Sequence, residues 1–184
     1  LSSSSAASDV YKRQALTSID VSSFDTSNVT NMDYIFDSCS SLTSLNLKNF
    51  TTKKLTSMVS MFQSCYKLAS LNISNFDTSN VTTMQSLFSR CNSLGNLDLS
   101  KFDTTKVTSM DQMFFNCYKI NTKLAIRNKS MKVYSYLSIL SGAARETGSK
   151  IVLDYTSETS DIVDQLIQTA SSNSNISKGS LLAS

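Results

Sequence analysis

The chain of 184 residues is long enough for one domain, or one elongated array, with a buried core. At 40% hydrophobic but only 17% charged residues, the missing charge is made up by Ser, Thr and Asn; the formal charge of +3 is too small to imply nucleic acid. Proline and histidine are absent and glycine occurs four times, which excludes collagen-like and Pro-rich chains, Ser-His and Cys-His nucleophile systems, and every His-containing metal site.

Residues 1–14, LSSSSAASDVYKRQ, share nothing with the rest of the chain. They look like a translated sequencing adapter or, failing that, a Ser-rich linker, and are set aside as a non-native or disordered leader. On the first reading the N-terminus is truncated, and the missing signal peptide says nothing about location. No run reaches the length of a membrane span.

Residues 15–127 form an array. Cys39, Cys65, Cys91 and Cys117 lie 26 residues apart, as do Phe24, Phe50, Phe76 and Phe102, the Met32 series and the Phe36 series. FDTSNVT occurs verbatim at 24–30 and 76–82. A strict period of this length marks a solenoid, whose units bury their apolar faces only by stacking.

Each unit splits in two. An LxxLxL order (Leu42, Leu45, Leu47 and its equivalents) predicts a short strand with one face buried. Met32, Ile35, Phe36 and Cys39 then fall at i, i+3, i+4 and i+7, which predicts a helix of two to three turns. Thr30, Thr56, Thr82 and Thr108 stand where N-caps would be, with Asp33, Gln85 and Asp111 at capping-box spacing. Phe24, Phe50, Phe76 and Phe102 are expected to stack as an internal ladder, each worth roughly 3–5 kcal/mol against Ala if buried.

After Cys117 the period slips. Ile120, Leu124 and Ile126 predict a fifth strand; Tyr134, Tyr136, Leu137 and Leu140 are packing candidates in an irregular or helical stretch. Ile151, Leu153 and Tyr155 predict another strand. Ile162, Val163, Leu166, Ile167 and Ala170 predict an amphipathic helix beginning near Ser157 to Ser160. Residues 128–184 are therefore expected to cap the array. The fold class is an α/β repeat solenoid, one short strand and one short helix per coil, with a C-terminal α/β cap.

The FDTSNVTNM and FDTSNVTTM segments, followed by Cys and then SLTSLNL, ASLNI or GNLDL, resemble the BspA-like leucine-rich repeat surface proteins, in the form shared with mycoplasma-type surface lipoproteins. The likeness covers about residues 16–120 and extends to the tail at 148–182. It implies a secreted or surface-anchored, non-enzymatic bacterial protein used in adhesion, without naming a ligand. One departure stands out: Phe50 or Phe76 and Thr52 or Thr78 replace the Asn or Cys and the Leu that follow LxxLxL in ordinary leucine-rich repeats. The buried Asn ladder is then missing, and a flatter, right-handed solenoid is expected.

Packing outweighs chemistry at the polar positions. The four cysteines fall on the apolar stripe, where free thiols act as small hydrophobes, although bridges between neighbouring coils stay open; a zinc site would need a CxxC pair that is absent. Asp25, Asp77 and Asp103 recur in three of the four coils and suggest Asx turns rather than a metal site. Asp20 and Asp98, three coils or roughly 15 Å apart, are too distant for a glycosidase pair. The expected contact surface is the outward strand face, with Asp20, Asn46, Lys48, Asn72, Asn96, Asp98, Lys123 and Arg127 as candidates for binding a protein or glycan. No enzyme activity, cofactor, metal or nucleic-acid partner is expected, and the chain is expected to be a monomer. The rival reading is a structural spacer.

Overall fold

The computed structural model describes residues 13–131, 139–170 and 172–183. They form a repeat β-solenoid of about five turns with few helices. Three short strands come first: β1 (Ser44–Asn46), β2 (Ser70–Asn72) and β3 (Asn96–Leu97). Three longer ones complete the set: β4 (Asn121–Ile126), β5 (Lys150–Tyr155) and β6 (Ile176–Leu181). A 3-10 turn at Ser157–Thr159 leads into helix α1 (Ser160–Thr169). β1 pairs with β2, and β3 to β6 form a four-stranded sheet in chain order. Every pairing is parallel, because each coil returns the chain to the same edge in the same direction.

From Leu42 onward the strands fall where the alternation placed them; the strand expected of Leu16, Ile19 and Val21 is not formed, and Ile19 is exposed at the open edge of the array. Leu45, Leu71 and Leu97 point into the core between exposed polar neighbours, and Leu124 and Ile126 point inward from β4 on either side of half-buried Ala125. The expected fifth strand, the strand around Ile151 and Leu153, and the helix beginning near Ser160 are all present. Leu140 is buried as expected, while Tyr134, Tyr136 and Leu137 lie outside the described residues. β6 was not expected.

The short helix of each repeat is not formed. Its place is taken by consecutive tight turns that share their amide groups between two coils. In the second coil the amides of Met58, Ser60, Phe62 and Ser64 donate forward to the carbonyls of Thr83, Gln85, Leu87 and Ser89. The intervening amides of Met61, Gln63 and Cys65 close turns onto Met58, Ser60 and Phe62, three residues back. Every second amide therefore leaves the coil, and a helical i to i+4 ladder cannot form. Two residues per coil take left-handed backbone angles to allow this, among them Ser60 (φ 53°) and Ser64 (φ 58°), Ser86 (φ 55°) and Arg90 (φ 62°). Each costs roughly 1–2 kcal/mol in an L-residue, offset here by the cross-coil bonds. The apolar spacing survives because turns of this kind also return to one face every three to four residues: Met84, Leu87, Phe88 and Cys91 are fully buried.

Two side-chain readings change with it. The Thr30 series does not cap helices. Thr56, Thr82 and Thr108 each direct both amide and hydroxyl to one carbonyl of the coil before, with Thr56 N 2.8 Å and Oγ1 2.9 Å from Thr30 O. Asp33 likewise reaches the next coil, accepting from the Ser57 hydroxyl at 2.6 Å and the Val59 amide at 2.7 Å.

The aromatic ladder also belongs to a different series. Phe36, Phe62, Phe88 and Phe114 stack with ring centroids 5.8, 5.7 and 5.8 Å apart and nearly parallel planes. Phe50, Phe76 and Phe102 are buried without entering this stack, and Phe24 is exposed. In place of an Asn ladder runs a buried Thr ladder. The Thr52, Thr78 and Thr104 hydroxyls donate to carbonyls of the next coil (Asp77, Asp103 and Ala125) and accept an amide hydrogen from that same coil. A β-branched hydroxyl can do both while its methyl fills the core.

Candidate binding face

The strands present one row of side chains outward at each alternate position. Asp20, Asn46, Lys48, Asn72, Asn96, Asp98 and Lys123 are exposed, and Arg127 is half-buried. Parallel pairing sets Asn46 beside Asn72 and Ser44 beside Ser70. Further along, Asn96 stands beside Asn121, whose amide group donates to Asn96 Oδ1 at 2.8 Å.

Four of the candidates carry out a local task. The Oδ1 atoms of Asp20, Asn46, Asn72 and Asp98 accept the amide hydrogen two residues on, from Ser22, Lys48, Ser74 and Ser100 at 2.9, 3.2, 3.3 and 2.9 Å. At Asn46, Asn72 and Asp98 these Asx turns close β1, β2 and β3, and at all four positions they turn the chain toward the next corner. The Ser100 hydroxyl and amide hold the Asp98 carboxyl below its ordinary range, and Ser22 does the same for Asp20. A second Asx row lies at the following corner, where Asp25, Asp77 and Asp103 accept from Ser27, Ser79 and Thr105 as the repetition implied.

The structure brings only three of the candidates together in one recess, and Asn72, Asn96 and Asp98 line neither that recess nor the one at Arg127. Asp20, Asn46 and Lys48 line a shallow recess at the first strand edge. Arg127 lines another with Lys101, Asp103 and Thr105. Lys123 is committed elsewhere: its ammonium pairs with Asp154 Oδ2 at 2.9 Å. Asp154 itself is buried beneath β6, its Oδ1 accepting the Ser180 amide at 2.7 Å. A Cβ at Gly179 would collide with that carboxylate, so only glycine lets β6 approach so closely. Lys178 ties β6 to α1 through Asp164 and the Ser160 hydroxyl, with its ammonium 4.4 Å from the Tyr155 ring centre. None of these closing contacts can be read from periodicity, because Asp154, Lys178 and Gly179 each occur once, outside the repeat.

The cysteines are free and buried. Each thiol from Cys65 onward donates to the carbonyl of the stacked phenylalanine in the preceding coil: Cys65 to Phe36, Cys91 to Phe62 and Cys117 to Phe88, at 3.1, 3.1 and 2.9 Å. Burial pushes Cys65 and Cys117 up to about 12 and Cys91 well above its ordinary value, so these thiols are protonated and unreactive. Among the described residues no group of three or more Cys, Asp or Glu side chains is placed to hold a metal ion. No helix among them is long and apolar enough to cross a membrane.

The chain matches the model of a family described as "Mycoplasma protein of unknown function, DUF285", over residues 5–127 and again over residues 39–150. It belongs to that family. No curated protein and no solved structure matches the chain. Membership agrees with the mycoplasma-type repeat read from FDTSNVT and its variants, and the family's own description assigns no activity.

Proposed function

We propose that this member of the family is a non-enzymatic module for noncovalent contact with a protein or a glycan, at a cell surface or outside the cell, made through the strand face. What supports the reading is the side-by-side register of Asn46 and Asn72, flanked by Ser44, Ser70 and Lys48, all exposed over a continuous core. Because each Oδ1 is already held by its turn, little side-chain freedom is lost on binding. The row carries no aromatic anchor, so contact at each coil is weak and strength comes from several coils at once. The likeness to BspA-like surface proteins carries the same reading, with residues 128–184 as the cap of the array.

A second reading is a structural spacer. It is favoured by the engagement of Asp20, Asn46, Asn72 and Asp98 in their own turns, a task that needs no ligand. A fourfold variant separates the two: Asn46→Asp, Lys48→Glu, Asn72→Asp and Asp98→Asn alter the charge of the face but keep an oxygen acceptor at every turn. Binding to panels of glycans and extracellular-matrix proteins is measured beside circular dichroism. Loss of at least tenfold in binding with an unchanged spectrum supports the module. Binding that survives the variant refutes the strand face as the contact surface, and a parent chain that binds nothing supports the spacer.

A further inference from the structure

The two ends of the array are built differently. At the C-terminal end, Lys178 and Asp164 tie β6 to α1, and the strand mixes polar Ser177, Lys178 and Ser180 with Ile176, Gly179 and an exposed Leu181. At the N-terminal end, the first coil leaves bare the positions that later coils bury. Phe24 is 56% exposed where Phe50, Phe76 and Phe102 are buried; Ile35 is 41% exposed where Met61, Leu87 and Met113 are fully buried. With Ile19, Val29 and Phe36 they line an apolar recess.

The backbone at this end is one-sided as well. Inside the array the carbonyls of Ser57, Val59, Met61 and Gln63 accept amide hydrogens from Met32, Tyr34, Phe36 and Ser38 of the coil before. The equivalent carbonyls of the first coil belong to Asn31, Asp33, Ile35 and Asp37. Among the described residues none of these accepts a hydrogen bond, and the Thr30 amide, whose counterparts reach back one coil, makes none.

We propose that this end is a docking surface for one further coil of the same 26-residue repeat, entering in line at Leu16 and stacked on the first coil as the first is on the second. Such a coil supplies four amides where four carbonyls wait, a carbonyl for Thr30, and apolar side chains for Phe24 and Ile35. A second copy of the chain fits poorly. About a two-fold axis it would set four carbonyls against four carbonyls. By its other end it would set β6 against the recess, offering Ser177, Lys178 and Ser180 with Leu181 as the one exposed large apolar side chain of that strand.

The test inserts a copy of residues 68–93 between Ala15 and Leu16 of the full chain. A control insert carries Leu87→Asp and Phe88→Asp in the copy, and Phe24→Asp is made in the parent and in the intact insert. The intact insert is expected to at least halve the fluorescence of a bound apolar dye and to raise the thermal midpoint by roughly 5 °C or more. The control insert is expected to do neither. Phe24→Asp should leave the midpoint of the parent unchanged but abolish the gain from the intact insert. The proposal is overturned by an intact insert that changes neither reading, or by a control that performs as well. It is equally overturned by a parent that sediments as a dimer dissociated by Phe24→Asp, which would make a second copy the occupant.

Discussion

Replacing Phe88 with alanine puts the stacked core under the most direct load. The ring is fully buried, 5.7 Å from Phe62 on one side and 5.8 Å from Phe114 on the other. A buried Phe→Ala change costs about 3–5 kcal/mol in lost transfer energy and residual cavity. Two broken ring pairs add about 0.5–1.5 kcal/mol each. Together these give about 4–8 kcal/mol, enough to unfold the two adjoining coils in a marginally stable array. Phe24→Ala, at a position of the same residue type that is 56% exposed, is expected to change stability by about 0.5 kcal/mol or less. Because solenoids need not unfold in one step, urea titrations are read together with amide exchange of the Thr52, Thr78 and Thr104 coils. Equal costs at Phe24 and Phe88, or a Phe88→Ala loss below about 1 kcal/mol, would refute the ladder and restore the Phe24 series as the stacking row.

Three further outcomes rest on the same contacts. Thr78→Val keeps the shape but strips the partner of the Asp103 amide (2.7 Å) and carbonyl (3.0 Å), and a loss of about 1–3 kcal/mol in urea titration is expected. The buried thiols keep their protons in the fold, so the native state binds more protons than the unfolded state above the ordinary thiol value of 9.0. Their contribution is fully present below pH 9 and is lost as pH climbs toward about 12; a Cys65→Ala, Cys91→Ala, Cys117→Ala chain should show a shallower alkaline decline. The same thiols should react with iodoacetamide at pH 8 only after denaturation. Gly179→Ala drives a methyl into the Asp154 carboxylate, and a loss of about 1–3 kcal/mol is expected, with faster amide exchange confined to β6 and its neighbours.

Much of this architecture was legible in the chain. The 26-residue period, the strand alternation at Leu45 and Leu71, the exposed row from Asp20 to Lys123, the Asx turns at Asp77 and Asp103, and the α1 stripe at Ile162, Val163 and Leu166 all rest on local rules that the structure obeys. The missing helices fail for an identifiable reason. A spacing of i, i+3, i+4 and i+7 is produced equally by a helix and by consecutive turns, and periodicity cannot tell them apart. A signal was present in composition in the first coil: the segment from Tyr34 to Ser41 carries three Ser, an Asp and a Tyr and no strong helix former, whereas Met61 and Gln63 remove that signal from the second coil. What settles the choice is a tertiary effect, since parallel neighbours on both sides offer every second amide a partner outside its own coil. The mistaken Phe series has a similar origin. Two Phe rows share one period, and only the turn geometry decides that the row at Phe36 stacks and the row at Phe24 lies at the corner. β6 escaped notice because ISKGSL has no alternation; its place is set by Gly179 against Asp154 and by Lys178 against Asp164.

The turn ladder is the claim on which the fold, the inert thiols and the open N-terminal end all depend, and nuclear Overhauser contacts in the third coil test it most directly. Contacts are expected from the amides of Met84, Ser86, Phe88 and Arg90 to residues Ser109, Asp111, Met113 and Phe115 of the following coil, which supply their acceptors. An unbroken series of i to i+3 contacts from Met84 to Cys91, with no contact across to Ser109 or Met113, would establish a helix there and contradict the account.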